Sequence, residues 1–440
     1  MTRVLATAGM LVALTVLASG CGGSKSASAS SNEPANITVW TGFVNPELVT
    51  FKQVVKDFEK AHPKIHVKVV GGTNDDKIVA AIRGGNAPDV AHSFSSDNTG
   101  AFCSSGAWID LGSYMQKDGI EDTIFPSAPR YYTQFKGKRC ALPMLADTYG
   151  LYYNKALFAK AGITSPPKTI SELTADAKKL TQRNADGSLK VVGFNPFWGW
   201  YENAPAHYAP SWGADWVDDK GNSVLGHGDA WSNMLAWQKQ LVDWYGYKNL
   251  VRFNAGAGDE FSPSNAFETG KVAMNMDGEW RVNFIKKEVP NLSYGTAPFP
   301  ADDAHQNLYG AGYVTGSIIG IPKSSKHQDQ AWQLVKYLGT NTKALALLSN
   351  GIQNVPTTTA SLQSPDLKPL PGFQTFLDVF GNAHTTTTPI TLVGAANQET
   401  FGSYTEKYQS GSDTDLEAGL ARVDKSIDAQ LKNASGGQAP

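Results

Sequence analysis

Three cysteines, eight histidines and only 18% charged residues in 440 positions leave little material for several kinds of chemistry. The histidines are scattered, none in an H-E-x-x-H or a Cys/His spacing, so no metal-ligating set is legible. Asp215, Asp218 and Asp219 lack the glycine and closing glutamate of a calcium loop and read as a solvated hairpin. No G-x-S-x-G elbow is present. Gly310-Ala311-Gly312-Tyr313 has neither the spacing nor the strand–turn–helix setting of a phosphate loop. With 38 basic and 40 acidic residues the formal charge is -2, and no basic excess exists to neutralise nucleic-acid phosphates. The apolar run Val4 to Leu17 is too short for a membrane-spanning helix, and no second run follows it. No internal repeat is evident, and no cofactor is expected.

What the chain does have begins with an address. Arg3 precedes the apolar run and Ala18-Ser19-Gly20-Cys21 closes it, the layout of an export signal. The small residues before Cys21 resemble a lipobox, with Leu17 one place further out than in the commonest pattern. Ordinary cleavage beside an incidental cysteine is the alternative. The Ser-rich stretch Gly22 to Ser31, a tether that keeps a folded domain off a surface, favours lipidation at Cys21. Residues 1–21 are therefore read as a lipoprotein signal peptide and 22–34 as the tether. The expected location is outside the cell, anchored to the outer face of the membrane. Cys103 and Cys140 then remain as an even pair in an oxidising compartment, read as a disulfide rather than as two buried thiols. Closing that loop contributes roughly 3–4 kcal/mol in the chain-entropy model.

A chain of this length with 41% apolar residues can hold two domains with real cores. Ile37 to Trp40 reads as a strand. Asn45 then caps a helix with Pro46 at its first position, burying Leu48, Phe51, Val54, Val55 and Phe58. Ile65, Val67 and Val69 alternate with polar neighbours, giving a βαβ unit in a largely parallel sheet. Ligands in such sheets sit beyond the carboxyl ends of strands, which puts Thr41 to Phe43 at a site. A third strand ends in the polar cluster Phe94-Ser95-Ser96-Asp97. Pro143 predicts an edge or a crossing, and Leu151 to Tyr153 a short strand. Asn154 and Gly162 bracket a helix, and Thr169 to Glu172 is a capping box. Asp186-Gly187 and Lys220-Gly221 mark hairpins around the most aromatic part of the chain. Trp231 to Trp244 has the spacing of a core helix. A helix ending at Gly270 leads into the strand Val272 to Met276 and the loop Asp277 to Trp280. His327 to Leu338 and Asp413 to Leu431 are further helices.

Asp147 followed by Tyr153-Asn154-Lys155, an Ala-Gly and Pro166-Pro167-Lys168-Thr169 carries a resemblance, sharpened by Phe267 to Met274 and Gly278-Glu279-Trp280. The chain resembles the bacterial extracellular solute-binding proteins that feed sugar-importing ABC transporters, from about Ile37 to about Val355. The resemblance implies an α/β two-lobed periplasmic-binding fold, type II-like. Its lobes are discontinuous, 35–146 with 301–345 and 147–300 with 346–440, and are joined by a hinge that includes 142–162 and Tyr294 to Pro300. It also implies that Asp147 hydrogen-bonds sugar hydroxyls, that Asp97 and Phe94 touch the sugar, and that Trp280 lies flat against a pyranose ring. By the same resemblance the closed form, a monomer, docks on a membrane permease powered by a separate ATPase.

A sugar is a ring of hydroxyls with apolar faces, so binding it calls for carboxylate acceptors, mixed donor–acceptors and aromatic planes. Asp97, Asp147 and Glu279 supply the first, and Thr41, Ser96, Tyr149 and Asn195 the second. Trp198, Trp200 and Trp280 supply the third, with Phe94 and Tyr313 completing the set. The wealth of aromatics leans towards a di- or oligosaccharide. A rival reading is a secreted glycoside hydrolase with Asp147 and Glu279 as its carboxylates, about 5–5.5 Å apart for retention or about 6.5–9.5 Å for inversion. Another is a peptide- or polyamine-binding receptor of the same fold, which calls for more acids and fewer indoles. A tether and a hinge suit a receptor better than a catalyst, so the chain is read as no enzyme.

Overall fold

The computed structural model describes residues 33–197 and 200–436. β1 (Ala35–Trp40), α1 (Glu47–Ala61) and β2 (Ile65–Val70) form the expected βαβ unit, and β3 (Val90–Ser93) lies on the other side of β1, both pairings parallel. α1 buries Phe51, Val54, Val55 and Phe58, one stripe of a 3.6-residue period. Its start differs from expectation. Pro46 already has φ -88° and ψ -11°, so the cap position is proline, the helix begins at Glu47, and no side chain caps it.

The spine of the molecule is β4 (Leu142–Asn154), thirteen residues in one strand where only a short one was expected. At roughly 3.3 Å per residue it is about 43 Å long. Beside it in the same sheet lie β5 (Leu189–Phe194), β6 (Val272–Gly278), β7 (Tyr294–Ala297), β8 (Val314–Gly320) and β9 (Val355–Pro356), while Gln134–Phe135 and Lys138–Arg139 form a separate two-stranded sheet. The sheet runs β2-β1-β3-β8-β4-β6-β5 with Gln182–Arg183 at the far edge, and β7 and β9 also pair with β4. Pairing is parallel only towards its two ends, which corrects the largely parallel sheet. β4 leaves the first lobe while β8 returns to it, so the middle is necessarily antiparallel. Of the edge or crossing expected at Pro143, the structure gives the crossing: Pro143 lies in the strand that leaves the first lobe and is paired with Ile318 rather than at an edge. Opposite it the register slips between Ser317 and Ile318, and this bulge absorbs the missing N–H.

Two main cores flank the spine. The second lobe packs Leu151, Val192, Phe194 and Met274 against Trp231 and Leu241 of α2 (Ala230–Tyr245). The first packs Ile37, Val39, Phe51 and Phe58 against Trp332, Val335 and Leu338 of α3 (Gln328–Thr340), with Leu348 and Ile352 of α4 (Thr342–Ile352). Each fully buried large side chain contributes roughly 1.5–3 kcal/mol. The start of the tail, expected wholly on the second lobe, thus reaches the first. α5 (Ala396–Ser410) and α6 (Leu416–Gly436) return to the second, with Phe401 and Val423 in its core.

Asn154 accepts from Leu157 N–H, Gly162 ends that helix at φ 63°, and the Thr169–Glu172 capping box forms, all as read from sequence. Three expectations fail. Trp244 is 40% exposed on the outside of α2, with Lys178 and Arg183 over its ring. Phe267 to Gly270 is a turn rather than a helix end. The segment at Tyr294 still pairs with β4, and Ala301 is bridged to Thr169, so the chain crosses only after Asp302. Cys103 and Cys140 are bonded, with Cα atoms 5.5 Å apart. Cys21 and the expected signal lie outside the described residues. Among the described residues no helix is long and apolar enough to cross a membrane.

Candidate functional site

The partners of β4 change between Thr148, which faces Val314 of β8, and Tyr149, which faces Gly278 of β6. Beside that change sits Asp147. Of the thirteen residues of β4, only Asp147 and Tyr153 are not fully buried, and Asp147 opens onto a cavity of about 1130 Å³. One wall is the β1–α1 loop from Gly42 to Glu47 with Phe94 and Asp97. The opposite wall is Trp200, Tyr201, Asn203, Asn254 and Trp280, and the tail contributes Asn354 and one face of α5.

A single amide organises the centre. Asn354 Nδ2 donates to Asp147 Oδ1 and, at 3.0 Å, to Glu279 Oε1, while Glu279 Oε2 accepts from Thr148 N–H at 2.8 Å. Burial pushes the Asp147 carboxyl up to about 7; the Asn354 amide opposes this and the Glu47 charge adds to it. Burial, then the Asp147 charge, also raises Glu279. Glu47 rises to about 7 through burial, with Lys287 opposing. Asp97 is raised by burial against bonds from Thr388 Oγ1 (2.6 Å) and Gln398 Nε2 (2.8 Å). No lysine or arginine lies among the described residues lining the cavity. The site therefore offers carboxyl groups to a ligand that need no ion pair to be broken.

The aromatic surfaces are set by glycines. Trp280, 8% exposed, has its ring over Gly278, where an added Cβ would lie 2.3 Å from it. Tyr149 meets that indole edge-on at 5.7 Å and itself stacks on His207 at 3.8 Å. On the facing wall Phe94, 46% exposed, lies over Gly42, where a Cβ would come within 2.1 Å, and meets Phe43 and His92 edge-on. Two buried donors on this surface, Trp280 Nε1 and Asn203 Nδ2, have no partner among the described residues.

Beside Trp280 lies a second acidic cluster of different character. Arg281 Nε donates to Asp277 at 2.8 Å and its terminal nitrogens reach Glu268 at 3.2 Å and Glu202 at 4.0 Å, all fully buried. Its guanidinium also lies 5.2 Å from the ring of Phe284 and 5.8 Å from that of Phe261, both on the cavity.

Of the residues read from sequence, Phe94, Asp97, Asp147, Trp200 and Trp280 line this one cavity. Six do not, each for a local reason. Thr41 is buried in bonds to His92 Nδ1 and Phe43 N–H, and Ser96 is bonded to Thr315. Tyr149 lies behind Trp280, and Tyr313 behind Tyr149, its hydroxyl on Thr388. Asn195 holds Asn254 and Phe197, which do line the cavity. Glu279 is held inward by Thr148 and Asn354. Trp198 lies outside the described residues. Glu47, Asn203, Asn354 and Gln398 were not foreseen. Glu47 had a signal, an acid in a first turn at the expected site; the other three depend on contacts across the chain. The hydrolase pairing fails on this geometry. One amide sits between Asp147 and Glu279, and only Asp147 reaches the cavity, so the two cannot flank a glycosidic bond.

A two-lobed α/β binding protein with a polar, aromatic cleft is the class that this fold and site define. The chain belongs to the bacterial extracellular solute-binding proteins, whose family model matches residues 45–344. It is 30% identical over 244 residues to a binding protein of Brucella abortus, covering 54% of this chain and 55% of that relative. It thus spans about half the length of that relative. To the maltooligosaccharide ABC transporter solute-binding lipoprotein of Streptococcus pneumoniae it is 25% identical over 372 residues, 81% of this chain and 80% of the other. Among solved structures it is similar to CpMnBP1 with mannotriose bound, at a TM-score of 0.80 and 26% identity over 89% of this chain and 99% of that one. The family model and these relatives are those of binding proteins.

Proposed function

We propose that the protein is an extracellular receptor that closes its two lobes on a carbohydrate, a di- or oligosaccharide, and delivers it to the permease of an ABC importer. The observation that carries this is Asp147, the acidic residue of the shared strand, which opens between two aromatic-bearing walls. Carboxyls at Asp147, Asp97 and Glu47 suit hydroxyl donors, and Trp280, Trp200 and Phe94 suit the C–H faces of rings. The relatives' sugars, mannotriose and maltooligosaccharides, agree with that chemistry. Closure follows only if the ligand touches both walls, since a ligand bound to one has equal affinity for open and closed forms.

Lobe membership is read as 35–146 with 301–345 against 147–300 with most of 346–440, the protein working as a monomer. A lipidated Cys21 would anchor it. Metabolic labelling with a fatty-acid analogue, lost in Cys21→Ala, tests the anchor. For the function, thermal denaturation is followed across mono- to pentasaccharides. A ligand at 100 times its dissociation constant adds about 2.7 kcal/mol and raises Tm visibly. Absence of any shift across the panel removes the carbohydrate reading.

A further inference from the structure

Glycine inside a helix is less favourable than alanine by about 1 kcal/mol, so a helix-interior glycine generally has a reason. Three such glycines in this fold have a packing reason. An added Cβ would lie 2.8 Å from Leu142 at Gly339, 2.4 Å from Thr50 at Gly351 and 2.0 Å from the Tyr404 hydroxyl at Gly419. Gly402, in the middle of α5, has none. Nothing lies within 4 Å of the Cβ position, and its φ is not in the left-handed region. The space it leaves open is the cavity, which Gly402 lines.

Its neighbours on the same face point the same way. Gln398, one turn earlier, is tied to Asp97 at 2.8 Å, so this end of α5 begins at the carbohydrate site. Glu399 and Glu406 flank Gly402 at three and four residues, line the cavity and make no ion pair within 4 Å among the described residues. From Gln398 to Glu406 the helix advances about 12 Å at 1.5 Å per residue. The buried Asn203 Nδ2 and Trp280 Nε1 on the same cavity, without a partner among the described residues, are donors available to a ligand.

We propose that Gly402 sets ligand length: the α5 face it opens is a further subsite, where an additional sugar unit lies over the bare backbone with Glu399 and Glu406 accepting from its hydroxyls. The inference rests on the carbohydrate reading. Extension along the helix is the direction in which a longer chain gains contacts, and a side chain at 402 would occupy the path.

The test is calorimetric titration of the full chain, as wild type, Gly402→Ala and Gly402→Leu. Maltooligosaccharides and mannooligosaccharides of two to five units serve as probes. Wild type is expected to bind the longer members of one series better than its dimer. Gly402→Leu lowers that long-to-short affinity ratio tenfold or more, and Gly402→Ala lowers it less. The ligand-free Tm of Gly402→Ala rises, because alanine is the better helix former, which separates lost binding from lost folding. A ratio unchanged within twofold in both variants overturns the subsite alone, as does a wild type that gains nothing beyond the dimer. A wild type that binds no member of the panel overturns the carbohydrate reading, and the subsite with it.

Discussion

Two buried acidic clusters begin two residues apart, at Asp277 and at Glu279, and are settled in opposite ways. The first surrounds a guanidinium: Arg281 faces Asp277, Glu268 and Glu202 with every side chain sealed from solvent. The second surrounds an amide: Asn354 donates to Asp147 and Glu279, and Asp147 stays open to the cavity. A guanidinium is a permanent charge that cancels part of its surroundings and fixes geometry. An amide supplies hydrogen bonds and no charge, and it leaves Asp147 a side that faces the cavity. The first arrangement supports a wall; the second leaves groups that a ligand can engage.

The largest effect is expected at Arg281. Arg281→Met leaves buried carboxylates without their cation and is expected to lower stability by about 3–5 kcal/mol in denaturant titration. A loss below about 1 kcal/mol means that the cluster is already protonated and needs no cation. Asn354→Leu is milder. It strips the shared donor from two buried carboxyls, a cost of about 1–3 kcal/mol, and moves the Asp147 midpoint upward when followed by carboxyl NMR. An unmoved midpoint shows that the amide does not govern Asp147.

The folded Asp147 carboxyl titrates at about 7 against an ordinary 3.8. Between those values the folded chain holds a proton that the unfolded chain has lost, so stability falls as pH rises towards 7 and levels off above it. Glu268, raised to about 7 by burial against Arg281, contributes the same sign from the other cluster. Asp147→Asn should flatten the Tm–pH profile between 5 and 7 without abolishing its slope, and an unaltered profile contradicts the assignment. The smallest effect is expected at Gly42→Ala. A methyl group there must displace the Phe94 ring, loosening sugar affinity several-fold with little change in ligand-free Tm. An unchanged affinity would place Phe94 outside the contact surface.

Much of this was legible along the chain. Phe51, Val54, Val55 and Phe58 announce a helix face, and Asn154, Gly162 and the Thr169 capping box announce helix ends, because each signal is confined to neighbouring residues. Asp147, Asp97, Trp280 and Phe94 were picked out through a family pattern and do share a cavity. Glu279 and Thr41 show where such reading stops. Both are polar and adjacent to site residues, yet each spends its hydrogen bonds inward, on Thr148 and Asn354 or on His92.

The order of residues determined the local elements, since caps and apolar periodicity act over three or four positions, and it determined which family motifs were present. Only the tertiary structure decided which acids face a ligand. Asn354 meets Asp147 across 207 positions and Gln398 meets Asp97 across 301. Whether a carboxyl is bound inward or left open depends on those distant partners, and a separation of that kind is set by packing rather than by any pattern within a segment.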